Sequence, residues 1–218
     1  MALSSHKRFF ANHIDVSVEI DLLKEFILHM DASLKEADVP VSDALGKEQM
    51  IPPLEVIPDD RDYLLTSHFP KLLHSGFIIS VLSFFEQQLI RFCNNLKTTE
   101  NHGLRVQDLA GSFLERFRNY CIHVAQLPIP TDDWEDIKGA MEVRNCLVHN
   151  AGMLDGFNKE KAVRAFVRRH HTPSIARNNV LVVTRETSLC VLNIIHSFVE
   201  SIHKAALIKY PKHEKGSN

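Results

Sequence analysis

The sequence lacks the features that would assign this 218-residue chain to a membrane, secreted or disulfide-rich class. The longest apolar run, residues 76–85, is much shorter than the roughly 20 residues needed to span a bilayer. The first 15 residues contain no apolar stretch long enough for a signal peptide. The four cysteines are far apart with no C-x-x-C pair, so buried reduced thiols are expected rather than disulfides. These absences predict a cytoplasmic protein that makes no membrane contact.

Sequence motifs of several enzyme classes are also missing. The chain contains no Gly-rich phosphate loop, no H-E-x-x-H helix and no G-x-S-x-G turn. It has 13 histidines, but they do not occur with other ligands at metal-binding spacing. We therefore predict neither a metal nor another cofactor.

The composition is that of an ordinary globular domain, with 44% hydrophobic and 24% charged residues. The net charge of −2 conceals an uneven distribution. Residues 1–158 hold 14 Lys and Arg against 23 Asp and Glu, a net of −9, whereas residues 159–218 hold 11 against 4, a net of +7. Such a basic region can attract the phosphate backbone of a nucleic acid, or it can simply form a solvated helix face.

Apolar residues at three- and four-residue spacing predict helices along almost the whole chain. The predicted helices cover about residues 12–37, 60 or 69 to 97, 106–127, 131–150, 159–169 and 185–209, with a proline-rich connection over 39–60 and one extended segment over 180–183. Pro70 is expected in a first helical turn, Thr131 and Thr184 as N-caps, and Gly152 in a left-handed conformation after a helix. The predicted fold is an all-α bundle of four to six helices with one short extended segment.

Most of the chain is expected to form one domain. Residues 1–60 are predicted to supply a helix and an irregular connection that pack on a core formed by 61–158. Residues 159–210 are expected to complete the same domain, and residues 211–218 to form a mobile tail.

One polar cluster interrupts the apolar pattern of the helix predicted over 131–150. Asn145 and His149 are four residues apart and share a face, whereas Arg144 lies about 140° from His149 around an ideal helix. A guanidinium that neutralises a phosphoryl oxygen and an imidazole that transfers protons can together cleave a phosphodiester without a metal. The alternative is that Arg144 pairs with Glu142 or Glu86, while His149 and Asn150 cap the helix.

The segment RNCLVHNAG (144–152) resembles the R-x4-H motif of HEPN-domain proteins. Upstream, SVLSFFEQQLIRFC (80–93), which contains Glu86, and GSFLERFRNYC (111–121) resemble the two helices that precede that motif. The resemblance implies a metal-independent endoribonuclease of toxin–antitoxin or antiviral defence systems. It also implies a homodimer in which the motifs of two chains face each other across one RNA cleft, and an antitoxin or regulatory protein as a possible partner.

Transferred to this chain, the resemblance assigns transition-state stabilisation to Arg144 and general acid or base catalysis to His149. Asn145 would orient the phosphate or the histidine, and Glu86 would position Arg144. Ala151 stands where many HEPN toxins have a modifiable tyrosine, so control by tyrosine modification is not expected. The basic residues predicted to contact the RNA backbone are Lys161, Arg164, Arg168 and Arg169. Other HEPN members are non-catalytic interaction or nucleotide-binding modules, and a purely structural helical protein is a third alternative.

Overall fold

The computed structural model describes residues 5–36 and 68–211, so the predicted connection over 39–60 and nearly all of the predicted tail lie outside the described residues. Six α-helices and a two-stranded sheet make up the described part, which confirms the all-α bundle. The helices are α1 (Ser5–Glu36), α2 (Phe69–Glu100), α3 (Phe113–Asn119), α4 (Thr131–Asn150), α5 (Glu160–His170) and α6 (Arg185–Lys209). The strands are β1 (Ser174–Ile175) and β2 (Leu181–Val182).

Helix α6 lies at the centre of the bundle, where it packs against α1, α2 and α4, while α5 packs on α4. The rings of Phe85 on α2 and Phe198 on α6 meet edge to face, with centroids 5.8 Å apart. By length and composition α2 is apolar enough to cross a membrane, but ten of its residues are buried in the described structure. As predicted, Pro70 lies in the first turn of α2.

Helix α1 begins earlier than predicted and has apolar residues on two faces. Phe9, Val16, Ile20 and Ile27 are fully buried and form its inward face. Several apolar residues whose spacing predicted the helix lie instead on its exposed face. Periodicity therefore located α1 but did not identify which apolar residues face the core.

The prediction of a single helix over 106–127 is wrong, because the helical conformation is interrupted at Gly111. A 3₁₀ turn over Val106–Asp108 is followed by Gly111 at φ +108°, a conformation that favours glycine. Ser112 then caps α3 by accepting a hydrogen bond from the Glu115 amide, and the Glu115 carboxylate accepts one from the Ser112 amide. After α3 the chain continues as a π-helical turn over Tyr120–Val124.

The predicted extended segment is half of a small hairpin that supports the end of α4. Strand β2 pairs antiparallel with β1, and Asn179 adopts φ +59° in the turn between them. The Leu181 amide donates to the Gly152 carbonyl at 2.8 Å, and the Leu154 amide donates to the Asn179 carbonyl at 2.9 Å. The hairpin thereby fixes the chain immediately after the R-x4-H segment.

Candidate functional site

Helix α4 places the R-x4-H segment in its last two turns. At its start, Pro130 rather than the predicted Thr131 is the N-cap residue, and Thr131 is the first helical residue. At its end, Ala151 is already left-handed at φ +50°, one residue before Gly152 at φ +79°. The Asn150 side-chain amide donates to the carbonyl oxygens of Met153 and Asp155, and these hydrogen bonds hold the turn that follows the helix.

The Arg144 guanidinium is half-buried on α4, on the side that faces α2. Its Nη1 group donates to the Asn145 Oδ1 atom at 3.1 Å, and the Asn145 amide in turn lies 3.5 Å from the Glu142 Oε2 atom. The Nε group is buried and has no hydrogen-bond acceptor among the described residues. Within this part of the chain Arg144 forms no ion pair, so the alternative in which Glu142 or Glu86 holds it is not observed.

Glu86 lies on α2, close enough to Arg144 for their charges to interact. Burial raises the pKa of the Glu86 carboxyl, and the positive charge of Arg144 partly offsets that effect. The two groups attract each other without direct contact. The structure therefore brings Glu86, Arg144 and Asn145 together at the α2–α4 boundary.

His149 is exposed and lies one helical turn beyond Asn145. In residues 5–36 and 68–211 its ring has no hydrogen-bond or ion-pair partner, and Asn150, not His149, satisfies the helix end. Because His149 lies about 140° from Arg144 around α4, the two side chains point in different directions. The two residues therefore do not share a face of α4.

The basic residues predicted to bind RNA differ in their surroundings. The Arg164 guanidinium donates to Glu160 at 2.7 Å and to Asn179 at 3.0 Å, and Arg169 donates to Asp136 at 2.9 Å. Lys161 and Arg168 are exposed on α5 and make no ion pair within the described segments. Half of the predicted basic patch is thus neutralised within the chain.

A buried Ser–His–Asp arrangement links three helices and was not predicted. The His74 Nδ1 atom on α2 lies 3.1 Å from the Ser188 hydroxyl on α6, and its Nε2 atom lies 3.3 Å from the Asp31 carboxylate on α1. Ser188 is fully buried, so its hydroxyl cannot reach a substrate, and burial lowers the pKa of His74. Asp31 and His74 are 43 positions apart in the sequence, and His74 and Ser188 are 114 apart. No local sequence pattern could therefore reveal this arrangement.

A cavity of about 840 Å³ opens beside this arrangement, where the end of α1 meets the starts of α2 and α6. Leu147 of α4 and Ala151, which directly follows α4, form part of its wall, but Arg144 and His149 do not. Its three cationic residues are Lys35, Lys71 and Arg185. Asp31 neutralises two of them, at 2.9 Å from Lys35 and 3.5 Å from Arg185, which leaves Lys71 as the cation available to an anion.

Across the described residues, no group of three or more His, Cys, Asp or Glu side chains is placed to hold a metal ion. Cys93, Cys121 and Cys146 are buried free thiols, and Cys190 is half-buried. Comparisons with protein-family models, curated proteins and solved structures find no match to this chain. The functional interpretation therefore depends on the geometry of α4 and its neighbours.

Proposed function

We propose that the protein is a metal-independent endoribonuclease of the HEPN type, acting through Arg144 and His149 in a homodimer. The observation that carries the proposal is the set of contacts of Arg144: its half-buried guanidinium forms no close ion pair with a described carboxylate, and Glu86 attracts it only from a distance. A cation held in this way can accept a phosphate without first breaking an ion pair. Exposed His149 on the same helix supplies an imidazole, the side chain most often used for proton transfer in catalysis.

The proposed reaction is attack of the ribose 2′-hydroxyl on the adjacent phosphorus. The P–O5′ bond breaks as the P–O2′ bond forms, which leaves a 2′,3′-cyclic phosphate and a 5′-hydroxyl. The His149 imidazole accepts the 2′-hydroxyl proton as general base and then donates a proton to the leaving 5′-oxygen as general acid. Arg144 neutralises the charge that develops on the non-bridging oxygens.

Asn145 and Glu86 are proposed to position Arg144. The Asn145 side-chain oxygen accepts a hydrogen bond from the guanidinium, and the half-buried Glu86 attracts it from α2. Neither contact uses all of the guanidinium donors, so several remain for a phosphate. Exposed Lys161 and Arg168 are the proposed backbone contacts, whereas Arg164 and Arg169 would first have to leave their carboxylate partners.

A second chain is part of the proposal because Arg144 and His149 diverge around α4. A two-fold axis beside α4 would place His149 of one chain near Arg144 of the other. The same axis would create two equivalent Arg144–His149 pairs in each dimer. The resemblance to HEPN proteins supports this pairing, a toxin or defence role in the cytoplasm, and an antitoxin or regulatory protein as partner.

Cleavage of single-stranded RNA in excess EDTA tests this function. We expect wild-type protein to cut RNA but not DNA of the same sequence, since DNA lacks the 2′-hydroxyl. Arg144→Ala and His149→Ala should each lower the rate by about 100-fold or more. His123→Ala, which removes another exposed histidine, is the matched control and should retain full activity. Equal cleavage of DNA, or full activity in Arg144→Ala, would refute the mechanism.

The cavity beside α4 favours a second candidate function, a non-catalytic module that binds a nucleotide. It has a volume of about 840 Å³, and Lys71 is its available cation. In the same assay this alternative predicts no RNA turnover by wild-type protein. Binding of a nucleotide that is lost in Lys71→Ala would then identify the cavity as the functional site.

A further inference from the structure

Helix α1 exposes five large apolar side chains at intervals of four residues. Their exposed fractions are Phe10 51%, Ile14 45%, Val18 54%, Leu22 60% and Phe26 50%. The inward face of the same helix is complete without them, because other apolar residues fill it. These five residues, hereafter the α1 ridge, are therefore not needed to form the core.

The α1 ridge forms one continuous surface feature. Residues at four-residue spacing are neighbours on a helix, and the span from Phe10 to Phe26 corresponds to about 24 Å. Near its end the ridge borders a groove of about 520 Å³ between α1 and α2, where Phe26, Leu72 and Phe84 contribute apolar walls. An exposed apolar surface of this extent on a helical bundle typically marks an interaction site.

Acidic residues border the ridge on both sides. Given 100° per residue, Asp15 and Glu19 fall on the side of the groove, and Asp21 and Glu25 fall on the opposite side. All four are exposed, and among the described residues only Asp21 has a cationic partner, Lys24 at 3.6 Å. The surface is thus an apolar ridge with a negative border.

The negative border discriminates between possible occupants. A second copy of α1 crossing antiparallel at Val18 would bring Asp15 of one chain towards Glu19 of the other, and like charges at close range oppose association. Membrane-binding helices carry Lys and Arg beside their apolar face, because lipid headgroups are commonly anionic, so a lipid surface is also disfavoured. A complementary partner has apolar residues with cationic neighbours.

We propose that the α1 ridge and its adjoining groove form a docking site for a basic amphipathic helix of another protein. Apolar side chains of that helix, spaced by three and four residues, would pack along the ridge and enter the groove beside Phe26 and Leu72. Its Lys and Arg residues would face Asp15 and Glu19 on one side and Asp21 and Glu25 on the other. The inference does not depend on the proposed nuclease activity.

Fluorescence anisotropy with two labelled synthetic peptides tests the docking site on the full-length chain. Both peptides are amphipathic helices of 18 residues with identical leucine positions, one with Lys and Arg beside the leucines and the other with Glu. We expect the basic peptide to bind at least about tenfold more tightly than the acidic one. Equal affinities, or no binding of the basic peptide, would overturn the proposal.

Variants of exposed residues locate the binding on α1 without removing core contacts. Val18→Ser with Leu22→Ser should weaken binding of the basic peptide by about tenfold or more. Asp15→Lys with Glu19→Lys, which leaves Asp21 and Glu25 in place, should abolish the preference for the basic peptide. Ile208→Ser, which changes an apolar residue on α6 that is 73% exposed, is the matched control and should have no effect. If the wild-type chain is a dimer and the Val18→Ser/Leu22→Ser variant is a monomer, the ridge binds a second copy of the chain, and the proposal is contradicted.

Discussion

His203 on α6 is buried between α1 and α2, where polar and aromatic groups surround its ring. Its Nδ1 atom lies 2.8 Å from the Val199 carbonyl oxygen, and its Nε2 atom lies 3.2 Å from the Asn12 Oδ1 atom. The Phe92 ring meets it edge to face at 5.0 Å. Burial lowers the pKa of His203 to about 4, and the nearby His13 contributes in the same direction.

This shift predicts that the fold loses stability in mild acid. Between about pH 6.5 and pH 4 the unfolded chain binds a proton at His203 that the folded chain does not, so stability falls as the pH is lowered. The loss attributable to this residue is on the order of 3 kcal/mol over the full window. Urea unfolding at pH 7 and pH 4.5 should show a smaller pH effect in His203→Gln than in wild type.

Exposed His29 supplies the control for that measurement. His29→Gln should keep the wild-type pH dependence, because the exchange leaves buried His203 and its surroundings unchanged. A His203→Gln variant with the same pH dependence as wild type would contradict the assignment. His74, whose pKa burial also lowers, remains in every variant and adds the same background.

The sequence located the residues of the α4 cluster but could not predict their contacts. The four-residue spacing of Asn145 and His149 follows from helix geometry, which is why it could be anticipated. The hydrogen bond from Arg144 to Asn145 depends on a side-chain rotamer, and the approach of Glu86 depends on how α2 packs beside α4. Long-range packing of this kind leaves no local pattern, as the buried His74–Asp31 contact also demonstrates.

At the scale of elements, long helices with strong caps or prolines at their ends were predictable. Helix α6 begins and ends where its apolar stripe predicted, and Thr184 is its N-cap residue as expected. One continuous helix was predicted around α3 because the apolar pattern runs on through the S-x-x-E capping box of Ser112 and Glu115, where a new helix begins. Strand β1 was missed because two residues are too few to produce a recognisable alternation.

The contact between α4 and α5 depends on a glycine. A Cβ atom at Gly139 would lie 2.5 Å from the Cδ2 atom of the Phe166 ring, which is itself almost fully buried. Gly139→Ala should therefore lower the free energy of unfolding by about 1–3 kcal/mol, because the ring or the helix must move. Thermal or urea unfolding followed by circular dichroism measures the change.

Gly76 on α2 is the matched control, since a Cβ atom there would have nothing within 4 Å. Gly76→Ala should raise stability by up to about 1 kcal/mol through helix propensity alone. If Gly139→Ala proved as stabilising as Gly76→Ala, the close α4–α5 packing described above would be wrong.

At the scale of the whole molecule, the bundle presents two surfaces of different character. The α1 ridge is apolar with an acidic border, whereas the end of α4 carries exposed His149 and half-buried Arg144 on different faces. The net charge of −9 over residues 1–158 includes the acidic border of α1, and the net of +7 over the remainder includes the basic helix α5. The proposed partner helix and the proposed RNA substrate would thus bind surfaces of different charge.

The central claim is that Arg144 of one chain and His149 of another form one cleavage site. Mixing inactive Arg144→Ala with inactive His149→Ala protein tests it most directly, because a mixed dimer keeps one intact pair of these residues. When equal amounts exchange subunits freely, half of the dimers are mixed, and each mixed dimer has one intact site where the wild-type dimer has two. About a quarter of wild-type RNA cleavage should therefore return. A mixture that exchanges subunits yet remains as inactive as its components would contradict the account.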